Sequence, residues 1–233
     1  MASRTCIELL FVITTSVAVS IAVQAARQHR SRVILALSGW AALQIIIAHS
    51  GFYAGAPALP PRFILAVAPP FLVLAGLFSV RAGRTWLENL DPSALLLLHT
   101  VRIPVEAVLH QLYLEGSIPQ VMTWEGRNFD LFTGVSALFL YAWSRRSGAL
   151  PRGMLIVWNV VGLLLVFSVL IHGALSAPSP FQQFVARDGS FALLEVPFVW
   201  LPSLIVPIVV IAHAASLLQL LGVRSAHSAS SSP

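Results

Sequence analysis

Apolar positions along the chain run in seven long stretches separated by short segments rich in Arg, Gly and Pro: residues 7–25, 33–53, 62–80, 93–115, 128–144, 153–176 and 194–221. Each is close to the roughly 20 residues that a helix needs to cross a hydrocarbon core. The stretches are apolar all round rather than alternating. This predicts an all-α fold, a polytopic transmembrane bundle of seven spans, because only helices and closed barrels satisfy their backbone in lipid. The bundle is expected to form one domain over 1–224, followed by a disordered Ser-rich tail, 225–233.

The first stretch has the outline of a signal peptide: Arg4, an apolar run, then Val23-Gln24-Ala25. The run exceeds the usual 7–15 residues, and cleavage would carry Arg27, Arg30 and Arg32 across the membrane, so a retained helix is expected. Orientation follows from arginine. Arg27, Arg30, Arg32, Arg81, Arg84, Arg145, Arg146, Arg152 and Arg224 fall on one side; Arg4, Arg62, Arg127 and Arg187 fall on the other. The positive-inside rule then sets the N-terminus outside and the C-terminus inside. Omitting the fourth and least apolar stretch would move Arg145, Arg146 and Arg152 outside and break the rule, so that stretch is expected to cross. Trp86, Trp143 and Trp158 would sit near the inner interface, and Trp124 and Trp200 near the outer one.

Composition supports the same class. The 233 residues are 57% hydrophobic and 10% charged, against about 25% charged in a soluble domain. The lipid bilayer is the expected partner, in a bacterial inner (plasma) membrane. The net charge of +5 does not point to nucleic acid, because the arginines lie at the ends of stretches and not along one face. All 14 basic residues are Arg. The absence of Lys removes a Schiff-base lysine and so a retinal photoreceptor. The single Cys6 excludes an internal disulfide and a Cys-pair metal site. No G-x-S-x-G, H-E-x-x-H, P-loop or Rossmann pattern occurs, no catalytic residue is assigned and no cofactor is implied. Oligomeric state is not legible.

Chemistry concentrates on the fourth stretch. His99, Arg102, Glu106, His110 and Tyr113 follow spacings of three, four, four and three. At 3.6 residues per turn they share an arc of about 80° and run about 21 Å along the axis. A charge at mid-bilayer costs at least about 2.5–3.5 kcal/mol, so the stripe must face other helices or a wet cavity. Arg102 and Glu106 are expected to pair at i, i+4, with Glu106 accepting from His110. Two readings follow: a buried pair that fixes packing, or a polar pocket or proton path. Five aligned groups exceed what one packing contact needs, which favours the second. Pro104 frees a carbonyl near Thr100.

Other polar positions share depths. His49, His110 and His172 fall near the outer end of their spans, as candidate metal or haem ligands, and His99 and His213 lie at one level in the inner half. No repeated His spacing or C-x-x-C-H motif supports a cytochrome. Asn128 and Asp130 suit the positive N-terminus of span five, as caps or as part of an outer pocket with Arg127 and Glu125. Asn159 and Gln44 can hydrogen-bond between helices. Pro69 and Pro70, and Pro197, Pro202 and Pro207, bend spans three and seven. The outer loop 177–195, with Phe181, Phe184 and Phe191, is read as interfacial, with a lid as the alternative.

Three segments carry a family resemblance: Arg102-Ile103-Pro104-Val105-Glu106; Ile118-Pro119 through Met122-Thr123 to Gly126-Arg127-Asn128-Phe129-Asp130; and Trp158-Asn159 through Ser176-Ala177-Pro178. Over the last 130 residues or so the chain resembles uncharacterised bacterial multi-spanning membrane proteins. That resemblance implies no activity. The leading expectation is therefore a protein that binds or passes a small molecule, ion or proton through a polar site on helix four. Alternatives are a membrane haem or metal redox protein using the outer histidines, and a receptor without retinal.

Overall fold

The computed structural model describes residues 3–55, 58–148 and 150–230, with side chains through 222. The described residues form α-helices and short 3₁₀ or π turns, with no strand. The helices are α1 (Arg4–Ala25), α2 (Arg30–His49), α3 (Ile64–Ser79), α4 (Arg81–Glu88), α5 (Pro92–Leu98), α6 (Arg102–Glu115), α7 (Asp130–Ser147), α8 (Arg152–Ser176) and α9 (Val206–Ser230). The Ser-rich tail falls on residues whose side chains, and from 231 onward whose backbone, lie outside those described.

Five helices are long and apolar enough to cross a membrane, and a sixth is added if α3 and α4 count as one broken unit. The segments are α1, α2 with its leading turn, the α5–α6 unit, α8 and α9 with its leading turn. Helix α7 has 18 residues but carries Asp130, Arg145 and Arg146 at its ends.

The third apolar stretch ends at a sharp corner. Val80 is extended, with φ −107° and ψ 141°, and α4 leaves α3 at 99°. Leu87 and Gly83 turn inward on α4 while Arg81 and Arg84 stay exposed. A side chain at Gly83 would meet the Leu77 carbonyl at 2.3 Å, so this corner needs a glycine there.

The α5–α6 unit, the fourth apolar stretch, is the centre of the molecule. Asp91 caps it by accepting from Ser93 and Ala94 N–H, with Pro92 at the first helical position. A 3₁₀ turn over His99–Val101 interrupts it just before Arg102. Pro104 accounts for the break, since it cannot donate back to the Thr100 carbonyl. Gly116 closes the unit in the left-handed conformation, φ 91°.

Helix α1 packs antiparallel to this unit. Arg4 meets Glu115 at 2.8 Å at one end, and Arg27 meets Asp91 at 3.0 Å at the other. Its buried residues Ile7, Phe11, Thr14, Ala18, Ile21 and Ala25 repeat at helical spacing. Helices α7, α8 and α9 close around the other sides. Helix α2 is peripheral, with Gln44 its one buried residue.

The segment 177–200 folds over the end of the bundle near Glu115. Ala192 N–H donates to the Ser117 carbonyl and Asp188 N–H to that of Gly116. Phe191 is buried, Phe184 lies against His172 at 6.1 Å, and Phe181 is exposed. The same loop thus caps the core and presents an apolar side chain outward. The seventh apolar stretch holds a π turn, Leu201–Ile205, that leads directly into α9.

Candidate functional site

Arg102 is 4% exposed and reaches two neighbouring helices. Its Nη1 donates to Asp130 Oδ1 at 2.5 Å, on the first turn of α7. Its Nη2 donates to His213 Nε2 at 2.9 Å, on α9. Because a guanidinium can only donate, His213 Nε2 must accept, and its proton must sit on Nδ1. That N–H in turn donates to Asn159 Oδ1 at 2.8 Å, on α8. Asn159 Nδ2 completes the order by donating to the Leu155 carbonyl. One cation therefore fixes a tautomer and an amide orientation across three helices.

The expected Arg102–Glu106 pair does not form. Glu106 Oε1 accepts from Trp124 N–H and Oε2 from Asn128 Nδ2, both at 2.6 Å. Asn128 Oδ1 accepts from Asp130 N–H at 3.1 Å, so Asn128 both caps α7 and tethers the carboxyl group of Glu106. Two causes redirect the pairing. An arginine preceding a glutamate by four residues is the weaker order on a helix, and the 117–130 loop delivers better donors to Glu106. Glu106 also does not accept from His110, whose nearest acidic group is Glu125, at 3.9 Å.

The stripe is thus divided. His99, Arg102 and Glu106 are buried, while His110 and Tyr113 are half-buried and lie 6.4 Å apart, ring to ring, beside Trp124. Val101, Val108, Leu109 and Leu112 are also buried, while Ala107 and Leu114 on the other side of α6 are exposed.

His99 and His213, expected at one depth, stack at 3.9 Å between centroids. Trp158 lies edge-on to His99 at 5.1 Å, and its Nε1 donates to Ser136 Oγ. Neither ring nitrogen of His99 has a hydrogen-bond partner among the described residues, nor does Arg102 Nε. Glycines make the layer fit. A Cβ at Gly162 would lie 2.3 Å from His213 Cε1, and one at Gly134 would lie 3.1 Å from Arg102 Cβ.

The outer histidines do not converge into one site. His49 is exposed at the end of α2, and His172 Nδ1 bonds the Ser168 carbonyl of its own helix. Among the described residues no three His, Cys, Asp or Glu side chains gather as a metal-ion site.

Arg102, Glu106, Asn128 and Asp130 line one cavity of about 30 Å³, walled otherwise by apolar side chains such as Leu109, Val166 and Val209. That is room for a water. A wholly apolar cleft of about 340 Å³ between α3 and α8 shares Val169, Leu201 and Val206 with it. On the opposite side of the Arg102–His213 layer lies a vestibule of about 420 Å³, floored by Trp158 and Asn159 and rimmed by Ser93, Ser144, Arg152 and Ser216. Asn159 lines the vestibule and holds His213, which in turn contacts Arg102 at the small cavity.

The sequence groups Asn128 with Asp130 and sets His213 at the level of His99, but it does not show that Asp130 and His213 meet on Arg102, because spacing reports one helix at a time. The role of Trp158 as a wall of the histidine layer carried no signal beyond its position near Asn159.

No curated protein and no solved structure matches the chain. The model of one family, a domain of unknown function (DUF8737), matches residues 60–221, which include every residue of the Arg102 cluster, and the chain belongs to that family.

Proposed function

We propose that the protein is a seven-span protein of a bacterial plasma membrane that binds or passes a small molecule or ion through the polar site on its fourth span. The observation that carries this is the placement of the Arg102–His213–Asn159 chain between two spaces. One is a small cavity lined by both carboxyl groups and the other a wide vestibule. A packing contact alone needs neither space. The geometry favours a solute over a proton. Arg102 stays charged and occupies the lone pair of His213, so the layer is a fixed set of donors and not a proton wire.

Accessibility tests this. In a Cys6→Ser background, Ser216→Cys reports the vestibule and Leu109→Cys the small cavity. A small hydrophilic thiosulfonate should modify Ser216→Cys rapidly and Leu109→Cys slowly in proteoliposomes, with the slow rate changed by Glu106→Gln. Complete protection of Leu109→Cys from both sides, with Ser216→Cys reacting, would reduce the cluster to a sealed packing contact and overturn the proposal.

A further inference from the structure

The vestibule has a charge that the protein does not balance. Arg152, the first residue of α8, lines it. Its Nε and Nη2 atoms are shielded from solvent and have no hydrogen-bond partner among the described residues. Among the described residues no Asp or Glu lines the space. A guanidinium in such a place meets a double cost: lost hydration and unused donors. The neighbouring groups are suited to the same guest. Ser93 and Ser216 offer hydroxyls, while Ser144 already donates to the Tyr141 carbonyl; Pro151 precedes α8 with no side-chain cap on its first turn, leaving N–H groups and the positive end of a 25-residue helix at the same rim.

Other groups at this depth do not neutralise it. Asp91 is already paired with Arg27, and Gln219 is committed to the carbonyls of Leu87 and Leu90. The nearest exposed charges on the preceding helix, Arg145 and Arg146, carry the same sign.

We infer that the vestibule is an anion site, in which Arg152 forks onto the oxygens of a phosphate- or carboxylate-type group while the serine hydroxyls complete its hydrogen bonds. This deepens the proposal for the central site, on which it rests for its wider role, by giving the solute a chemical class. An anion held against the Trp158–Asn159 floor lies one residue away from His213, which is held by Arg102. A second fixed cation therefore stands behind the first along the path inward. The anion can arrive free in solution or as the head group of a lipid at the rim, and the chemistry is shared.

The experiment uses the full chain in nanodiscs of zwitterionic lipid, titrated with inorganic phosphate and followed by thermal unfolding. A second series replaces part of the lipid with phosphatidylglycerol. Wild type should gain stability with phosphate or with the anionic lipid. Arg152→Gln should weaken that response by about tenfold or more, Arg152→Lys by less, and Arg145→Gln not at all. Protection of Ser216→Cys from thiosulfonate by phosphate gives a readout independent of folding. A response in the phosphate series alone identifies a free anion, and one in the lipid series alone identifies a head group; both support the site. No response in either series, or equal losses in Arg152→Gln and Arg145→Gln, overturns it. If Leu109→Cys is still modified in that case, the central-site proposal survives; if Leu109→Cys is sealed while the Arg152 response persists, only the vestibule stands.

Discussion

Arg102 occupies a place where an isolated charge is very costly, and its two partners come from different helices, Asp130 on α7 and His213 on α9. Removing one member of such a pair strands the other without solvent. Arg102→Met should therefore destabilise by about 3–5 kcal/mol, and a following Asp130→Leu should recover part of the loss. The matched cycle with Glu106→Gln should show a smaller coupling, because Glu106 has its own donors in Trp124 N–H and Asn128. Denaturant unfolding of the four variants in one detergent checks this. Equal coupling energies in the two cycles would restore the pairing read from i, i+4 spacing. At this scale the sequence showed which residues must be sheltered, since His99, Arg102 and Glu106 could not face lipid. It did not show with whom. Asp130 lies 28 positions from Arg102 and His213 lies 111 away, and only the packing of α7 and α9 brings them within reach.

At the level of elements, apolar length located the helices well and their irregularities poorly. The corner at Val80 and the π turn at Leu201–Ile205 leave no trace in hydropathy, which measures how long a segment stays dry and not where it bends. Proline positions gave a partial signal. Pro207 has no N–H, so the Ser203 carbonyl loses its usual donor four residues on. Trp40 on α2 replaces it: its Nε1 donates to Ser203 O at 2.8 Å, and Trp200 returns the contact to the Ala41 carbonyl at 3.0 Å. Trp200 is thus turned toward α2, because an indole N–H seeks a buried acceptor when one is near. Trp40→Phe keeps the ring and deletes the donor, and should cost about 1–3 kcal/mol for the unsatisfied carbonyl. Pro207→Ala returns a backbone N–H to the same acceptor. In that background Trp40→Phe should cost clearly less, by thermal or denaturant unfolding. The same cost in both backgrounds would show that the Trp40 bond does not compensate for the proline.

For the molecule as a whole, the contested segment is α7. It is too charged at its ends to qualify by apolarity alone, yet its 18 residues extend about 27 Å at the usual helical rise. Its charged groups sit at its termini: Asp130 turns inward to Arg102, and Arg145 and Arg146 lie in the last turn, where they can reach an aqueous interface. In the proposed seven-span arrangement the helix would cross with its polar groups either paired or at a surface. The packing of the other helices agrees with alternate crossing. The start of α1 meets the end of α6 through Arg4 and Glu115, and the end of α1 meets the start of α5 through Arg27 and Asp91. Late in α9, Gln219 binds carbonyls beside that same start of α5. In the proposed seven-span topology nine arginines fall on that side against four on the other, and the positive-inside rule would make it cytoplasmic. Reporter fusions placed after Arg32, Arg84 and Arg146 should all read cytoplasmic, and one after Arg187 should read external. The fusion after Arg146 decides the number of crossings. An external signal there, with Arg32 and Arg84 still internal, would mean that the chain makes an even number of crossings between Arg84 and Arg146. Either the α5–α6 unit or α7 would then fail to span, and the cavity beneath Arg102 would no longer be an intramembrane site.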